Sequence, residues 1–166
     1  MITQEGTGEL EGFDTIAVDI PYLKALMAQC VAAGVRYLMG GKAHDVKAVP
    51  LDTHEIDCSG FIRWLIYHIT HGALLLPDGS YLEGQALALD GFKPSDPANC
   101  ANTDNRVRVC IHVADDKDRT GHIWLCLNGI TYESHGGVGV SSRLWNVMLS
   151  SGYRLDELAT HCFVLC

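Results

Sequence analysis

Asp57-Cys58-Ser59-Gly60-Phe61, running directly into Ile62-Arg63-Trp64-Leu65-Ile66-Tyr67-His68-Ile69, sets a cysteine, a small residue and a glycine at the start of a helix-like apolar segment. The free amides and positive dipole end of a helix favour an anion, so a thiolate becomes reactive at such a position. Apolar residues fall on nearly all sides of the segment, which predicts a helix from Cys58 to about His71, buried at the centre of the protein. His68 and His71, near its C-terminal end, are explained by the helix dipole and read as structural. The charge of Asp57 works against a neighbouring thiolate, so its role is to cap or hold the turn.

Working outward, Asp19 can cap an earlier helix with Pro21 in its first turn, where a missing N–H costs nothing. Leu23, Leu26, Met27, Cys30 and Val31 then share one helical face, and Gly34 can end the helix. A short strand is expected at Thr15-Ile16-Ala17-Val18, and an irregular segment spans Lys42 to Ile56. Beyond the central helix, Ser80 and Glu83 have the spacing of a capping box for a helix through Leu89. Residues 90–105 read as loop.

From Arg106 the texture changes to strands. Val107, Val109, Ile111 and Val113 alternate with Arg108, Cys110 and His112, which predicts a half-buried strand. Asp115 to Arg119 reads as a solvated connection. His122–Leu127 and Ile130–His135 flank Asn128-Gly129, a strong hairpin signal. A short helix is expected over Leu144–Leu149 and a last strand over His161–Cys166. Helices followed by an antiparallel sheet make the class α+β in one domain.

Composition narrows the function. The chain has 166 residues, 48% hydrophobic and 19% charged, as a folded globular domain requires. A net charge of −8 without a Lys/Arg cluster speaks against a nucleic-acid partner, and no apolar run reaches membrane-spanning length. The first residues, Met1 to Gly6, lack the basic and apolar regions of a signal peptide, which leads us to expect synthesis in a reducing cytoplasm. Seven cysteines, an odd number, do not read as a secreted disulfide framework, and no disulfide-linked partner is expected. Cys162-x-x-x-Cys166 is the closest pair and no Cys-x-x-Cys occurs, so neither a structural zinc nor any other metal or cofactor is expected.

A cysteine nucleophile needs a base within hydrogen-bond reach and a group that orients the base. With a two-residue turn at Asn128-Gly129, Leu127 opposes Ile130, Trp124 opposes Glu133 and His122 opposes His135. The two histidines would then be neighbours, with Glu133 one step along the same face.

These residues resemble the NlpC-like cell-wall peptidases, papain-fold cysteine hydrolases that cut peptidoglycan stem peptides. The likeness rests on Asp57-Cys58-Ser59-Gly60-Phe61 before a buried helix and on Gly121-His122-Ile123 opening a strand. Tyr37-x-x-Gly40-Gly41 ahead of the cysteine, and Leu76-Pro77 with Ser80 and Gln85 after the helix, add to it. The matches run in order from about residue 21 to 140. The resemblance implies a papain-like fold, with Cys58 as nucleophile, His122 as general base, and a polar third residue on the next strand. Cross-strand pairing favours His135, which we take for that place; alignment with a shortened turn makes Glu133 the alternative. Tyr37 lies near the site in the family and helps bind or polarise the scissile carbonyl, while Asp57 and Ser59 support the turn. The implied partner is a peptidoglycan stem peptide, cut next to D-glutamate.

Three features depart from the family pattern. The Tyr37–Cys58 interval is long, so residues 42–56 read as an insertion bordering the cleft. Trp124 replaces a small residue and narrows the site. No wall-binding domain is recognised, so delivery to the wall by a phage, lysis or secretion system is expected. An amidase of the related CHAP group, and a non-catalytic phage or wall-associated module, are the alternative readings.

Overall fold

The computed structural model describes residues 16–115 and 120–166. The readings made of the N-terminal residues through Thr15 and of most of the Asp115–Arg119 connection lie outside the described residues. Ile16–Val18 do not form a strand, although the Ile16 amide donates to the Leu165 carbonyl at 2.6 Å.

Helix α1 spans Ile20–Ala32. Asp19 caps it by accepting from the Tyr22 amide at 2.9 Å, and Pro21 occupies the first turn. Leu23, Leu26, Met27 and Cys30 are buried, but Val31, expected with them, is 54% exposed because it lies at the margin of that stripe. Helix α2, Cys58–Ile69, is buried at nearly every position. It stops short of His71 because the Thr70 hydroxyl donates back to the Ile66 carbonyl at 2.7 Å and His71 turns to φ +51°. His68 is structural for a reason other than the dipole. Its ring is buried among aromatic neighbours, Nε2 bonds the Val46 carbonyl at 2.8 Å, and burial lowers its pKa. His71 instead meets Asp19 at 3.0 Å.

Helix α3 covers Ser80–Leu89, but the expected capping box does not form. Gly79, at φ +97°, is the N-cap, and the Glu83 side chain turns inward to become fully buried. The stretch read as loop holds a two-residue strand β1, Lys93–Pro94, and a 3-10 helix, Pro97–Ala101.

The remaining strands are β2 (Arg108–His112), β3 (His122–Leu127), β4 (Ile130–His135), β5 (Gly139–Ser141) and β6 (His161–Val164). They form one six-stranded sheet in the order β1-β6-β2-β3-β4-β5, with every described pairing antiparallel. Asn128 and Gly129, at φ +50° and +80°, make the two-residue turn, and Leu127 pairs with Ile130 as the dipeptide requires. Leu144–Leu149 is not a helix. The Trp145 amide donates to the Gly129 carbonyl and the Leu155 amide to the Val147 carbonyl, which lays the segment beside the hairpin. A short helix α4 follows at Leu155–Leu158.

The helices cover one face of the sheet, where Leu23, Leu26, Phe61 and Leu65 meet Val109, Ile123 and Leu125. The opposite face is covered too. Arg108, Cys110 and His112 are 4%, 1% and 1% exposed, so β2 is buried on both sides rather than half-buried. Cys100, Cys110, Trp124, Cys126, Leu155 and Cys162 form a second cluster there. No helix among the described residues is long and apolar enough to cross a membrane.

Gly139 fixes β5 against the chain leaving α1. It sits at φ +94°, and a Cβ there would meet the Val35 carbonyl oxygen and stand 2.7 Å from the Arg36 Cα. Gly139→Ala should therefore lower the unfolding free energy by about 1–3 kcal/mol or more in urea titration. An unchanged midpoint would contradict this account of the close approach.

Candidate active site

Asp57 organises the start of α2. Its Oδ1 accepts from the Gly60 amide at 2.7 Å and its Oδ2 from the Gly40 amide at 3.2 Å. In return the Asp57 amide donates to the Gly41 carbonyl at 3.0 Å. These bonds explain the paired glycines after Tyr37. Gly40 turns at φ +80°, while a Cβ on Gly41 would lie 2.8 Å from the Glu55 carbonyl oxygen. Gly60 is constrained likewise, since its Cβ would stand 2.8 Å from the Gly41 oxygen. The turn thus holds Cys58 at the first position of a helix whose free amides face an anion.

Lys42 completes this corner, a role that sequence reading did not assign. Its Nζ donates to both Asp57 oxygens, at 2.8 and 2.9 Å, and to the Ser59 hydroxyl at 2.7 Å. The ammonium offsets the charge of Asp57 beside the sulfur, which removes the objection raised against that carboxylate. Asp57 and Ser59 are therefore supports of the turn.

His122 opens β3, with its side chain 17% exposed. Its Nε2 meets the Glu133 Oε2 at 2.6 Å, which leaves Nδ1 available to the sulfur. Burial pushes the imidazole pKa down. Hydrogen bonding and charge from Cys58 and Glu133 outweigh that and raise it to about 9. The indole of Trp124 stacks against the ring, with centroids 5.3 Å apart and planes 22° from parallel.

Glu133 is fully buried, yet its four contacts satisfy it. Beside His122, Arg143 donates through Nε to Oε1 at 2.7 Å and through Nη2 to Oε2 at 2.9 Å, and the Thr131 hydroxyl reaches Oε1 at 2.6 Å. Burial raises the carboxyl pKa, but these bonds and charges more than offset it and hold it at about 2. The paired rungs of β3 and β4 run from Leu127↔Ile130 to Leu125↔Tyr132 in the expected register. Register alone would set His135 opposite His122, but the side chain that meets Nε2 is that of Glu133. The Glu133 carboxylate, fixed by Arg143 and Thr131, is the group bonded to Nε2. His135 is half-buried at the mouth of the cleft, its pKa lowered by burial and by Arg143.

Tyr37 borders both the Cys58 and the His122 sides of the cleft. Burial, then the charges of Cys58 and Asp57, raise its pKa, so the hydroxyl keeps its proton and can donate. Glu83 lies within the electrostatic reach of Cys58. Neither carboxyl oxygen has a partner among the described residues, and burial, with Cys58 next, raises its pKa well above the usual range. The segment 42–56 contributes Lys42 to the cleft and is tied to α2, where the Trp64 indole donates to the Ala48 carbonyl at 2.9 Å and the His68 ring bonds the Val46 carbonyl.

No family model matches the sequence, and no curated protein matches it. Among solved structures the chain is similar to NlpC2 from Trichomonas vaginalis, at 13% identity and a TM-score of 0.52. The match covers 85% of this chain and 46% of that one, so this chain spans about half the length of the protein it matches. The likeness is one of fold: helices, then a six-stranded antiparallel sheet, consistent with the papain-like NlpC fold.

The two shifted groups set opposite limits on stability with pH. His122, raised from 6.5, contributes in full below about 6.5 and loses its contribution as pH rises through about 9. Glu133, lowered from 4.5, contributes above about 4.5 and loses its share as pH falls through about 2. Urea titrations across pH should show an alkaline decline that is reduced in His122→Ala. The same decline in both proteins would refute the assignment to His122.

Proposed function

We propose that this chain is a cysteine hydrolase of the NlpC-like kind, an endopeptidase acting on peptidoglycan stem peptides. The observation that carries the reading is His122, bonded through Nε2 to a buried Glu133 and interacting with Cys58 at the head of α2. Cysteine, histidine and buried carboxylate in that arrangement have the roles of nucleophile, base and orienting group.

In this mechanism the His122 ring takes the proton of the Cys58 thiol, and Glu133 holds the resulting imidazolium. The thiolate attacks the carbonyl carbon of a stem-peptide amide, opening the C=O bond to an oxyanion. The Cys58 amide and the protonated Tyr37 hydroxyl are the donors for that oxyanion. As the tetrahedral centre collapses, the C–N bond breaks and His122 gives its proton to the leaving amine. Water, deprotonated by the same ring, then attacks the thioester and releases the acid with the thiol restored. Arg143 and Thr131 act only through Glu133.

The proposed bond is the one next to D-glutamate. A groove beside Cys58, bordered by Lys42, Asp78 and Ser80, is open enough for an extended peptide. The net charge of −8 fits a peptide partner better than a nucleic acid.

Purified protein incubated with peptidoglycan should release stem-peptide fragments whose masses report the bond cut. Fragments carrying an intact sugar–peptide junction support an endopeptidase; cleavage at that junction would indicate an amidase instead. Cys58→Ala should abolish release, and equal release from it would overturn the proposal. Glu133→Gln should lower turnover by about 10²-fold or more, and His135→Ala by less than about tenfold. The reverse order would return the third role to His135.

A further inference from the structure

Four cysteines that are scattered in sequence meet on the sheet face away from α2. Cys110 on β2 and Cys162 on β6 are direct cross-strand partners, with sulfurs 3.1 Å apart. Cys100, carried over them by the 3-10 helix, brings its sulfur to 3.4 Å from that of Cys110. The three sulfurs all lie within 4.8 Å of one another, and all three residues are buried. Cys126 on β3 joins the same cluster, its Sγ 3.6 Å from the Cys100 carbonyl oxygen. All four are free of disulfides.

Shape alone does not account for this composition. Alanine, serine or valine would fill such positions, yet three strands and a 3-10 helix each supply a thiol to one point. Tetrahedral zinc at about 2.3 Å from each thiolate sulfur sets neighbouring sulfurs about 3.8 Å apart, so the pairs at 3.1 and 3.4 Å need only spread by a few tenths of an ångström to admit the ion. A second observation comes from Arg108. It is 4% exposed and stands directly across the β2–β3 ladder from Cys126. Asp104 takes its Nη1 and Nη2, at 3.0 and 2.6 Å, while its buried Nε has no partner among the described residues. Four thiolates around Zn²⁺ carry a net charge of −2. A buried guanidinium with an unused N–H is what an anionic cluster requires from its surroundings.

We propose that Cys100, Cys110, Cys126 and Cys162 form a structural zinc site with four thiolate ligands. Each thiol releases its proton to solvent as the metal binds, and Cys126 turns from the Cys100 carbonyl to complete the tetrahedron. The ion ties the 3-10 helix and β6 to the middle of the sheet. It also backs Trp124, which follows His122 and precedes Cys126 on one face of β3 and stacks on the catalytic-site ring. The site is separate from the Cys58 centre and independent of its activity.

Full-length protein purified without chelator should contain about one zinc per chain by elemental mass spectrometry. Exchange with Co²⁺ should give the intense thiolate-to-cobalt absorption and visible bands of a tetrahedral four-sulfur site. Cys100→Ser and Cys162→Ser should bind less than about a tenth of the wild-type cobalt, and Cys126→Ser should shift the bands to a three-sulfur pattern. Cys166→Ser should leave them unchanged. Because the wild-type spectrum needs no variant, misfolding of a substituted chain does not blur the outcome. Wild-type protein that holds no zinc and gives no cobalt spectrum while all its thiols are reduced would overturn the proposal. So would an intact mass and peptide map showing a Cys110–Cys162 disulfide.

Discussion

The burial of α2 is the constraint on which the rest of the structure depends. A helix apolar on nearly every side can exist only if other elements enclose it, and α1, α3 and the inner face of the sheet do so. Its ends then become the points where unsatisfied backbone groups must be resolved. At the C-terminal end Thr70 does this by folding its hydroxyl back onto Ile66. At the N-terminal end Asp57 does it, and the same carboxylate gathers Gly40, Lys42 and Ser59 around the position of Cys58. The place of Cys58 is thus a consequence of where a buried helix has to begin.

A second theme is charge held in places that would reject it singly. Glu133 is fully buried, and an isolated carboxylate there would take a proton. Arg143, Thr131 and His122 together make the ionised form the stable one. On the other side of the cleft, Lys42 pairs with Asp57. Burial moves the pKa of Glu83 the other way, since its oxygens have no such partners among the described residues. The contrast between these two buried glutamates shows that partner geometry, rather than residue type, sets the direction in which each pKa moves.

The outer face of the sheet carries more than the catalytic-site side chains. His122, Trp124 and Cys126 alternate onto it from β3, and Cys110 and Cys162 meet beside them. The chain from the 3-10 helix and from residues 142–160 covers this face. That cover explains why β2 is buried on both sides despite its arginine and histidine.

Much of this was legible in the chain itself. The Asp-Cys-Ser-Gly-Phe stretch before an all-round apolar segment marked the helix and placed Cys58 at its head, because helix periodicity and end effects are local. Asn128-Gly129 fixed the hairpin and its first rungs for the same reason, since a two-residue turn demands positive φ at both positions. Other features were not visible. Val31 and Glu83 took environments that local spacing misjudged, and Leu144–Leu149 exchanged helix for bonds to the hairpin. The partner of His122 could not be chosen from strand register, because Cβ adjacency leaves open which side chain reaches Nε2; Arg143, ten residues beyond Glu133, decided it. Lys42 and the four convergent cysteines lie far apart in sequence and carry no spacing signal. Sequence determined the elements, whose causes are short-range, and tertiary structure decided the company each side chain keeps, because burial and charge depend on residues distant along the chain.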